Sequence, residues 1–284
     1  VWPWSFSKIK DFEQCPKQYY HKHILKEVPF VQTEAILYGN EFHKMAEDFI
    51  GKDTPVPAKF SYAKKALTSL KNSRGEKLCE IKMGLTENLE ACSFYASDVW
   101  FRGVADLVIL DDEIAIVVDY KTGKSSKYAD KGQLELMALA LMARYPQIKK
   151  VRAALLFVVC NDLVKDTYME YDKSKLWEKW LGKYGQMETA AKEDMWNARP
   201  NGLCKRYCPI IECVHTKTPK TAQNKRTNLS GAKPLKLGWN VSVPAVRWIA
   251  PVKMLTRTVK LINVKAKTLA TRKPCRRVVL IKTV

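Results

Sequence analysis

The stretch Gly103-Val-Ala-Asp-Leu-Val-Ile-Leu-Asp-Asp-Glu-Ile-Ala-Ile-Val-Val-Asp-Tyr-Lys121 decides the fold of this chain. It contains two apolar runs of β-forming residues, Val104–Leu110 and Ile114–Val118, on either side of the polar triplet Asp111-Asp112-Glu113. Two such runs around a short polar turn predict a β-hairpin in which the strands pair with each other.

Two carboxylates and an ammonium group accompany this hairpin. Asp106 lies in the first run and Asp119 follows the second run. Lys121 stands two residues beyond Asp119. If twist and register bring the carboxylates together, they can share a divalent cation, which would neutralise phosphate charge and activate a water. The lysine would orient or stabilise the attacking hydroxide, an arrangement suited to phosphodiester hydrolysis. The alternative is incidental placement, because Asp and Lys are common at strand ends and the short motif alone is unspecific.

A histidine upstream of the hairpin is a further candidate ligand. Apolar residues recur at mixed three- and four-residue spacing over Gly39–Ile50, which predicts an amphipathic helix. Gly39, His43 and Glu47 recur at intervals of four and therefore lie near one stripe of that helix. Neutral imidazole binds divalent ions well, so His43 is a candidate metal ligand. The alternative is a structural histidine with a satisfied hydrogen bond.

A glutamine downstream of the hairpin stands near the start of a second predicted helix. The run that begins at Gln133 is rich in strong helix formers and follows the loop Gly123-Lys-Ser-Ser. From this position the side-chain amide could reach the metal site or a nucleic-acid phosphate. The alternative is an ordinary polar residue on a helix whose segment Leu134–Met142 is apolar nearly all round.

Three cysteines near residue 210 are close enough in sequence to form a soft metal site, namely Cys204, Cys208 and Cys213. A fourth ligand could come from Cys15 or His215. With Cys15, four thiolates around an iron–sulfur cluster would staple the first helix to the C-terminal region. Zinc held by four thiolates, or by three thiolates and an imidazole, is the alternative. A disulfide is less favoured because the remaining cysteines are scattered singly.

The net charge of +20 is concentrated in the last part of the chain. Residues 216–284 contain 17 of the 49 Lys and Arg residues and no Asp or Glu, whereas residues 1–215 have 32 basic and 29 acidic residues. We therefore interpret residues 1–215 as the functional domain and residues 216–284 as a basic tail. The tail is a phosphate-binding arm, a disordered segment or a sequence not under selection; the absence of acids favours the last two.

The pattern of elements predicts an α/β fold with a mixed central sheet flanked by helices. No apolar run reaches the length of a membrane span. The expected helices are Ser5–Tyr20 with Ser5 or Ser7 as its cap, Gly39–Ile50, Tyr62–Lys71, one within Ser125–Tyr145, and the amphipathic Lys173–Trp196. The expected strands are Glu80–Met83, Val99–Leu110, Glu113–Tyr120, Val151–Val159 and an edge strand Thr167–Tyr171.

Several motifs occur in a fixed order along the chain. They are Ser5-Phe-Ser-Lys-Ile-x-x-Phe-x-x-Cys15-Pro-x-x-Tyr-Tyr, Gly39-x-x-x-His43-x-x-x-Glu47, Gly103-Val-Ala-Asp106, Val117-Val-Asp-Tyr-Lys-Thr-Gly-Lys124 and Gln133-Leu-Glu-Leu-Met-Ala-Leu-Ala140, followed by the cysteine cluster. Together they resemble the PD-(D/E)XK nuclease superfamily, in the branch of the RecB nuclease domain and the CRISPR-associated exonucleases. Many such proteins are encoded by bacteriophages. The resemblance covers Trp4 to His215.

The resemblance implies a restriction-endonuclease-like core with an active site for Mg²⁺ or Mn²⁺. The implied metal ligands are His43, Asp106, Asp119 and the backbone carbonyl of Tyr120. Lys121 would be the active-site lysine, and Gln133 matches the family glutamine, although Met137 occupies the position of the family's tyrosine.

The resemblance also implies a role for outlying residues. Glu80 matches an acidic residue before the core strands, and Glu47 is the last residue of the Gly39–Glu47 motif. Both are additional candidate site residues, as is His215, which is a candidate on its position beside the cysteines alone. The four cysteines match a [4Fe-4S] staple in kind, whereas their C-x3-C-x4-C spacing departs from the commoner C-x2-C-x5-C.

The function implied is that of a metal-dependent DNA exonuclease in DNA end processing, replication or recombination. Its partner would be DNA, with no membrane, in the cytoplasm of a bacterial or phage-infected cell. Two alternatives belong to other classes. One is a non-catalytic nucleic-acid-binding or recombination accessory protein on the same fold, and the other is a zinc-stapled structural protein in which the Asp and Lys residues are incidental.

Overall fold

A six-stranded mixed sheet lies at the centre of the part of the chain that this computed structural model describes, residues 3–216. The strands are β1 Glu76–Leu85, β2 Ala91–Cys92, β3 Phe101–Asp111, β4 Ile114–Lys121, β5 Lys150–Phe157 and β6 Asp162–Met169. Their order is β2-β1-β3-β4-β5-β6. Neighbouring strands are antiparallel, except that β4 and β5 are parallel. The predicted α/β fold is confirmed.

Helices cover both faces of this sheet. They are α1 Phe6–Gln14, α2 Pro16–Tyr19, α3 Glu34–Lys52, α4 Lys64–Lys71, α5 Gly132–Arg144, α6 Lys173–Lys192 and α7 Cys204–Tyr207. A π-helical turn at Tyr20–Ile24 and 3₁₀ turns at Ala58–Ala63 and Glu170–Asp172 complete the list. Helix α5 provides the crossover that the parallel β4–β5 connection requires.

Each face of the sheet has its own apolar core. On the face here called the α5 face, residues of α1, α5 and α6 pack against the sheet, with Leu134, Leu141 and Trp180 fully buried. On the opposite α3 face, Phe42, Phe60 and Leu67 pack against the other side of β3 and β4. Helix α5 is apolar nearly all round because the sheet covers one side and α1 and α6 cover the other.

The predicted hairpin is confirmed, but its ladder stops early. Strands β3 and β4 pair from Asp111↔Ile114 to Leu107↔Val118. The next opposed residues in this register would be Asp106 and Asp119, and they are not paired. Strand β4 nevertheless stays paired with β5 as far as Lys121. The two strands therefore separate at the two predicted aspartates, which we call the β3–β4 fork.

The regular alternation of side chains between the two faces of the sheet is interrupted in β1 and β3, close to the β3–β4 fork. Leu78 and Ile81 of β1 both pack on the α5 face, as do Ala105 and Val108 of β3. Same-face neighbours in a regular strand are two residues apart, so a spacing of three marks an irregularity in each strand. The irregularity in β1 contains Glu80, whose φ is +50°.

The sequence placed several element boundaries wrongly. The predicted single helix Ser5–Tyr20 breaks at Cys15, which is extended with φ −165° and ψ 109°, because the following Pro16 disfavours helical backbone there. Its predicted cap is confirmed, since Ser5 accepts a hydrogen bond from the Lys8 backbone N–H at 3.4 Å. Strand β6 begins five residues before the predicted Thr167–Tyr171. Strand β2 has only two residues, too few to show a pattern.

The predicted tail, residues 216–284, lies outside the described residues except for Thr216. Within residues 3–216, no helix combines the length and the apolarity that a membrane span requires.

The backbone conformation of Gly75, directly before β1, can be tested by substitution. Its φ is +109°, and a Cβ atom there would overlap the backbone oxygen of Leu110. We expect Gly75→Ala to lower the free energy of unfolding by about 2–4 kcal/mol, because both the dihedral and the overlap oppose a side chain. Denaturant unfolding followed by circular dichroism measures this change.

Gly182 is the matched control, since it lies exposed within α6 and a Cβ atom there would contact nothing within 4 Å. Gly182→Ala is expected to raise the free energy of unfolding by about 0.5–1 kcal/mol. Equal effects of the two substitutions would contradict the assigned backbone geometry.

Candidate active site

The β3–β4 fork brings the two predicted aspartates together with backbone groups that the ladder leaves free. The Tyr120 N–H, which would otherwise face β3 in the ladder, donates a hydrogen bond to Asp106 Oδ2 at 2.7 Å. The N–H and C=O of one strand residue point to the same side, so the Tyr120 carbonyl also faces the fork. This geometry directs the carbonyl towards the site.

A set of possible metal ligands lies on the α3 side of the fork. His43, Glu80 and Asp106 each offer one ligand atom, and these atoms lie within 4.8 Å of one another. His43 Nδ1 is 3.2 Å from Asp106 Oδ1. Carboxylate oxygens and an imidazole nitrogen are common ligands of divalent metal ions, so the donor set fits a divalent cation. Glu80 reaches this set from the irregular point of β1. The β1–β3 pairing passes from Cys79↔Leu107 to Ile81↔Ala105 and leaves Glu80 and Asp106 unpaired.

The second carboxylate is held on the α5 side of the fork. Lys121 Nζ lies 2.7 Å from Asp119 Oδ2 and donates to Gln133 Oε1 at 2.9 Å. Gln133 Nε2 in turn donates to Asp119 Oδ1 at 2.5 Å. Helix α5 thus positions Gln133 to bridge the aspartate and the lysine. The sequence predicted that Gln133 reaches the site, but it missed this closed three-residue arrangement.

Between residues 3 and 216, Asp119 is the only charged residue that is almost fully buried, with 3% of its surface exposed. Burial and the neighbouring charge of Asp106 raise the pKa of Asp119 to about 6, although Lys121 opposes the shift. A carboxyl group with a raised pKa resists ionisation unless a cation compensates it. The site therefore favours the arrival of positive charge near Asp119.

His43 and Glu80, on the α3 side of the fork, also have perturbed pKa values. Burial alone would lower the pKa of His43, but the hydrogen bond to Asp106 and the charges of Asp106, Asp119 and Glu80 raise it overall. Burial and the charge of Asp106 raise the pKa of Glu80. A metal ion at these residues would therefore have to displace protons, so metal affinity should increase with pH.

The site opens into a cleft of about 710 Å³. Gly39, His43 and Glu47 all line it, as the predicted helical stripe requires. The Glu47 carboxylate, however, pairs with Lys44 at 2.9 Å and is not part of the compact ligand set.

The predicted cysteine ligands also come together, in a separate place. Cys15, Cys204, Cys208, Cys213 and His215 line one cavity of about 20 Å³. The described cysteines form no disulfide. Cys15 and Cys213 are buried, whereas His215 is exposed. Cys15 occupies the break between α1 and α2, so the proline that ends the first helix also turns this thiol towards the C-terminal cysteines.

Comparison with known proteins bears on the whole described region. A family model described as the PD-(D/E)XK nuclease superfamily matches residues 3–213. The crystal structure of SSO0001 is similar, with 17% sequence identity and a TM-score of 0.36, over 70% of this chain and 81% of that chain. A crystal structure from Eubacterium rectale, provisionally named an exonuclease, has 11% identity and a TM-score of 0.45, over 82% of this chain and 91% of that chain. No curated protein matches the sequence.

Asp119→Asn should stabilise the metal-free protein at high pH. The raised pKa means that the folded state binds a proton more tightly than the unfolded state, so the wild type loses stability as pH rises from about 4 to about 6. The neutral amide avoids this loss. We expect the variant to be more stable than wild type by up to about 3 kcal/mol at pH 8 in EDTA.

The difference should vanish towards pH 3, below the pKa of both states, where the wild-type carboxyl is largely protonated whether folded or unfolded. Thermal unfolding across this pH range measures it. Added Mg²⁺ or Mn²⁺ should stabilise the wild type more than the variant. A variant that is less stable than wild type at pH 8 in EDTA would contradict the assigned cost of burying Asp119.

Proposed function

This chain belongs to the PD-(D/E)XK nuclease superfamily, and we propose that it is a metal-dependent DNA exonuclease. The observation that carries the proposal is the β3–β4 fork, which holds Asp106 and Asp119 beside Lys121, a residue that lines the cleft. A nuclease acts on nucleic acid by hydrolysing phosphodiester bonds. DNA as the substrate and removal of nucleotides from an end are the finer parts of the proposal.

We assign the divalent cation to His43, Asp106, Asp119 and the Tyr120 carbonyl, with Glu80 as an added ligand. The compact donor set around Asp106 and the raised pKa of Asp119 support this assignment. When bound, Mg²⁺ or Mn²⁺ would supply Lewis acidity towards the phosphate and a more acidic water. Glu47 is left outside the set because Lys44 neutralises it.

Lys121 is the group that we expect to act on the developing charge. Its Nζ carries donors that can turn from Asp119 and Gln133 to a nonbridging oxygen of the scissile phosphate. Negative charge grows on those oxygens during hydrolysis, so a fixed ammonium stabilises the transition state more than the ground state. Half-exposure of Lys121 at the cleft allows this contact.

Gln133 and Asp119 keep the lysine in position until substrate binds. The amide of Gln133 accepts from the lysine and donates to the aspartate, so it fixes the orientation of both side chains. We class Gln133 as a positioning residue, in place of the predicted direct contact with a metal or phosphate.

The biological setting follows the family resemblance. We propose the branch that contains the RecB nuclease domain and the CRISPR-associated exonucleases, a phage-type origin, a cytoplasmic location, and a role in DNA end processing, replication or recombination. We propose residues 1–215 as the nuclease domain, and the family match to residues 3–213 supports this proposal.

The four cysteines are proposed to hold a [4Fe-4S] cluster that joins Cys15 to the C-terminal segment. All four line one cavity, so their thiolates can each bind a different iron of such a cluster. Tetrahedral zinc held by the same thiolates is the alternative.

Lys121→Ala tests the proposed chemistry. We expect turnover on an end-labelled DNA with Mg²⁺ to fall by about 100-fold or more, because a fixed charge that stabilises the transition state is lost. DNA affinity should change far less. Asp119→Ala should also remove activity, together with the effect of Mg²⁺ on thermal stability.

Lys124→Ala is the matched control, since this lysine is exposed three residues beyond Lys121. It should cleave at nearly the wild-type rate. Undiminished cleavage by Lys121→Ala would refute the mechanism, and DNA binding without any cleavage by the wild type would favour a non-catalytic accessory protein.

Cys15→Ser tests the cysteine assignment. Anaerobically purified wild type should be brown with visible absorbance, and the variant should lose both iron and several degrees of melting temperature, because metal-binding energy contributes to folding. Cys160→Ser, at an exposed cysteine outside the cavity, should change neither. Stoichiometric zinc in a colourless wild type would rule out the cluster.

A further inference from the structure

A second groove lies on the other side of the active-site lysine. It has a volume of about 750 Å³ and is bordered by the start of α1, by β3, by α5 and by Phe94. Lys121 and Gln133 line this groove, and Lys121 also lines the first cleft. The two spaces therefore meet at the residue that we expect to contact the scissile phosphate.

The second groove carries positive charge that the fold does not neutralise. Lys8 and Arg102 both line it, and neither forms an ion pair with a carboxylate between residues 3 and 216. The Arg102 Nε atom is enclosed and has no hydrogen-bond partner in that part of the chain. Lys8 donates to the backbone oxygen of Pro3 at 2.6 Å, which leaves its charge uncompensated.

The other charged groups at the groove are already paired. The Asp11 carboxylate accepts from Lys22 at 2.7 Å and from His23 at 2.6 Å. Lys10 lies 2.9 Å from Asp130 and also pairs with Glu13. Burial, together with the positive charges of Arg102 and Lys26, lowers the pKa of Lys8. The net surplus in the groove therefore belongs to Lys8 and Arg102, which suits an anionic ligand.

Aromatic rings flank these cations. The Arg102 guanidinium lies 5.2 Å from the centroid of the Phe94 ring. The adjacent Tyr95 is 70% exposed, and Lys82 donates to its hydroxyl at 2.7 Å. A positive groove beside accessible aromatic faces is typical of sites that bind single-stranded nucleic acid, in which phosphates meet the cations and bases stack on the rings.

We propose that this second groove binds the segment of a single nucleic-acid strand next to the scissile phosphate. Lys8 and Arg102 contact its backbone phosphates. Tyr95, whose ring centroid lies 5.1 Å from that of the groove-lining Phe94, stacks a base. The groove's volume is that of a pocket for a drug-sized molecule, which is enough for a few nucleotides of one strand. The role of the groove in positioning the substrate rests on the nuclease function proposed above, whereas its binding of a strand can be measured separately.

The test uses the full chain in EDTA, so that no cleavage is needed. Fluorescence anisotropy measures the Kd for fluorescein-labelled dT20 and for a 20-base-pair duplex over a range of salt concentrations. The double variant Lys8→Met/Arg102→Gln should bind dT20 about tenfold more weakly than wild type. The slope of log K against log salt should shrink by about 1.4, because each lost phosphate contact on a single strand contributes about 0.7. Duplex affinity should change less than twofold.

Two controls separate the groove from general effects. Lys175→Met removes one charge from an exposed position on α6, outside both grooves, and should leave both affinities unchanged. Arg102→Lys, combined with wild-type Lys8, should keep most of the affinity because it keeps the charge. Circular dichroism and melting temperature establish that the variants fold.

The outcomes distinguish this proposal from the proposed activity. If the double variant binds dT20 within twofold of wild type, or loses duplex binding equally, the groove is not a single-strand site. If the wild type cleaves no DNA with Mg²⁺ or Mn²⁺ but the predicted loss of dT20 binding occurs, the groove is supported and the nuclease assignment fails. If both hold, the double variant should also cleave dT20 with a KM raised about tenfold and nearly wild-type kcat.

Discussion

The constraint on which the rest of the site depends is the separation of β3 from β4 beyond the pair Leu107↔Val118, at Asp106 and Asp119. Strand β4 stays extended where β3 no longer pairs with it, because it remains paired with β5 on its other side. The backbone groups freed in this way need new partners, and Asp106 accepts from the Tyr120 N–H. One interruption of the ladder thus both creates the opening and fixes the orientation of the carboxylate beside it.

The fork also divides charge between the two faces of the sheet. Asp106 lies with His43 and Glu80 towards α3, whereas Asp119 lies with Lys121 and Gln133 towards α5. Burying a carboxylate without a partner would be costly, and the lysine and amide offset that cost for Asp119. Protein groups therefore partly compensate the carboxylate charge on each side of the fork. A cation bound between Asp106 and Asp119 would reduce the repulsion that remains between them.

The sequence predicted the sheet, the hairpin and the approach of Asp106, Asp119, Lys121 and Gln133, because these depend on local patterns and on the order of motifs. It could not predict the irregularity at Glu80, since a shift of one residue in each of two paired strands leaves their register intact and appears only in three dimensions. It also missed the groove at Lys8 and Arg102. Those residues are 94 positions apart in the chain, and the net charge of residues 1–215 gave no sign of a local excess.

The helix break holds Cys15 beside cysteines that lie far along the chain, and this separation matters for folding during synthesis. Cys15 leaves the ribosome about 190 residues before Cys204, a delay on the order of 10–40 seconds at synthesis rates of about 5–20 residues per second. The residues of the catalytic fork, from His43 to Gln133, are all synthesised within that interval. The nascent chain can therefore assemble its fork before Cys204, Cys208 and Cys213 are made. During that interval the Cys15 thiol is open to oxidation or mispairing.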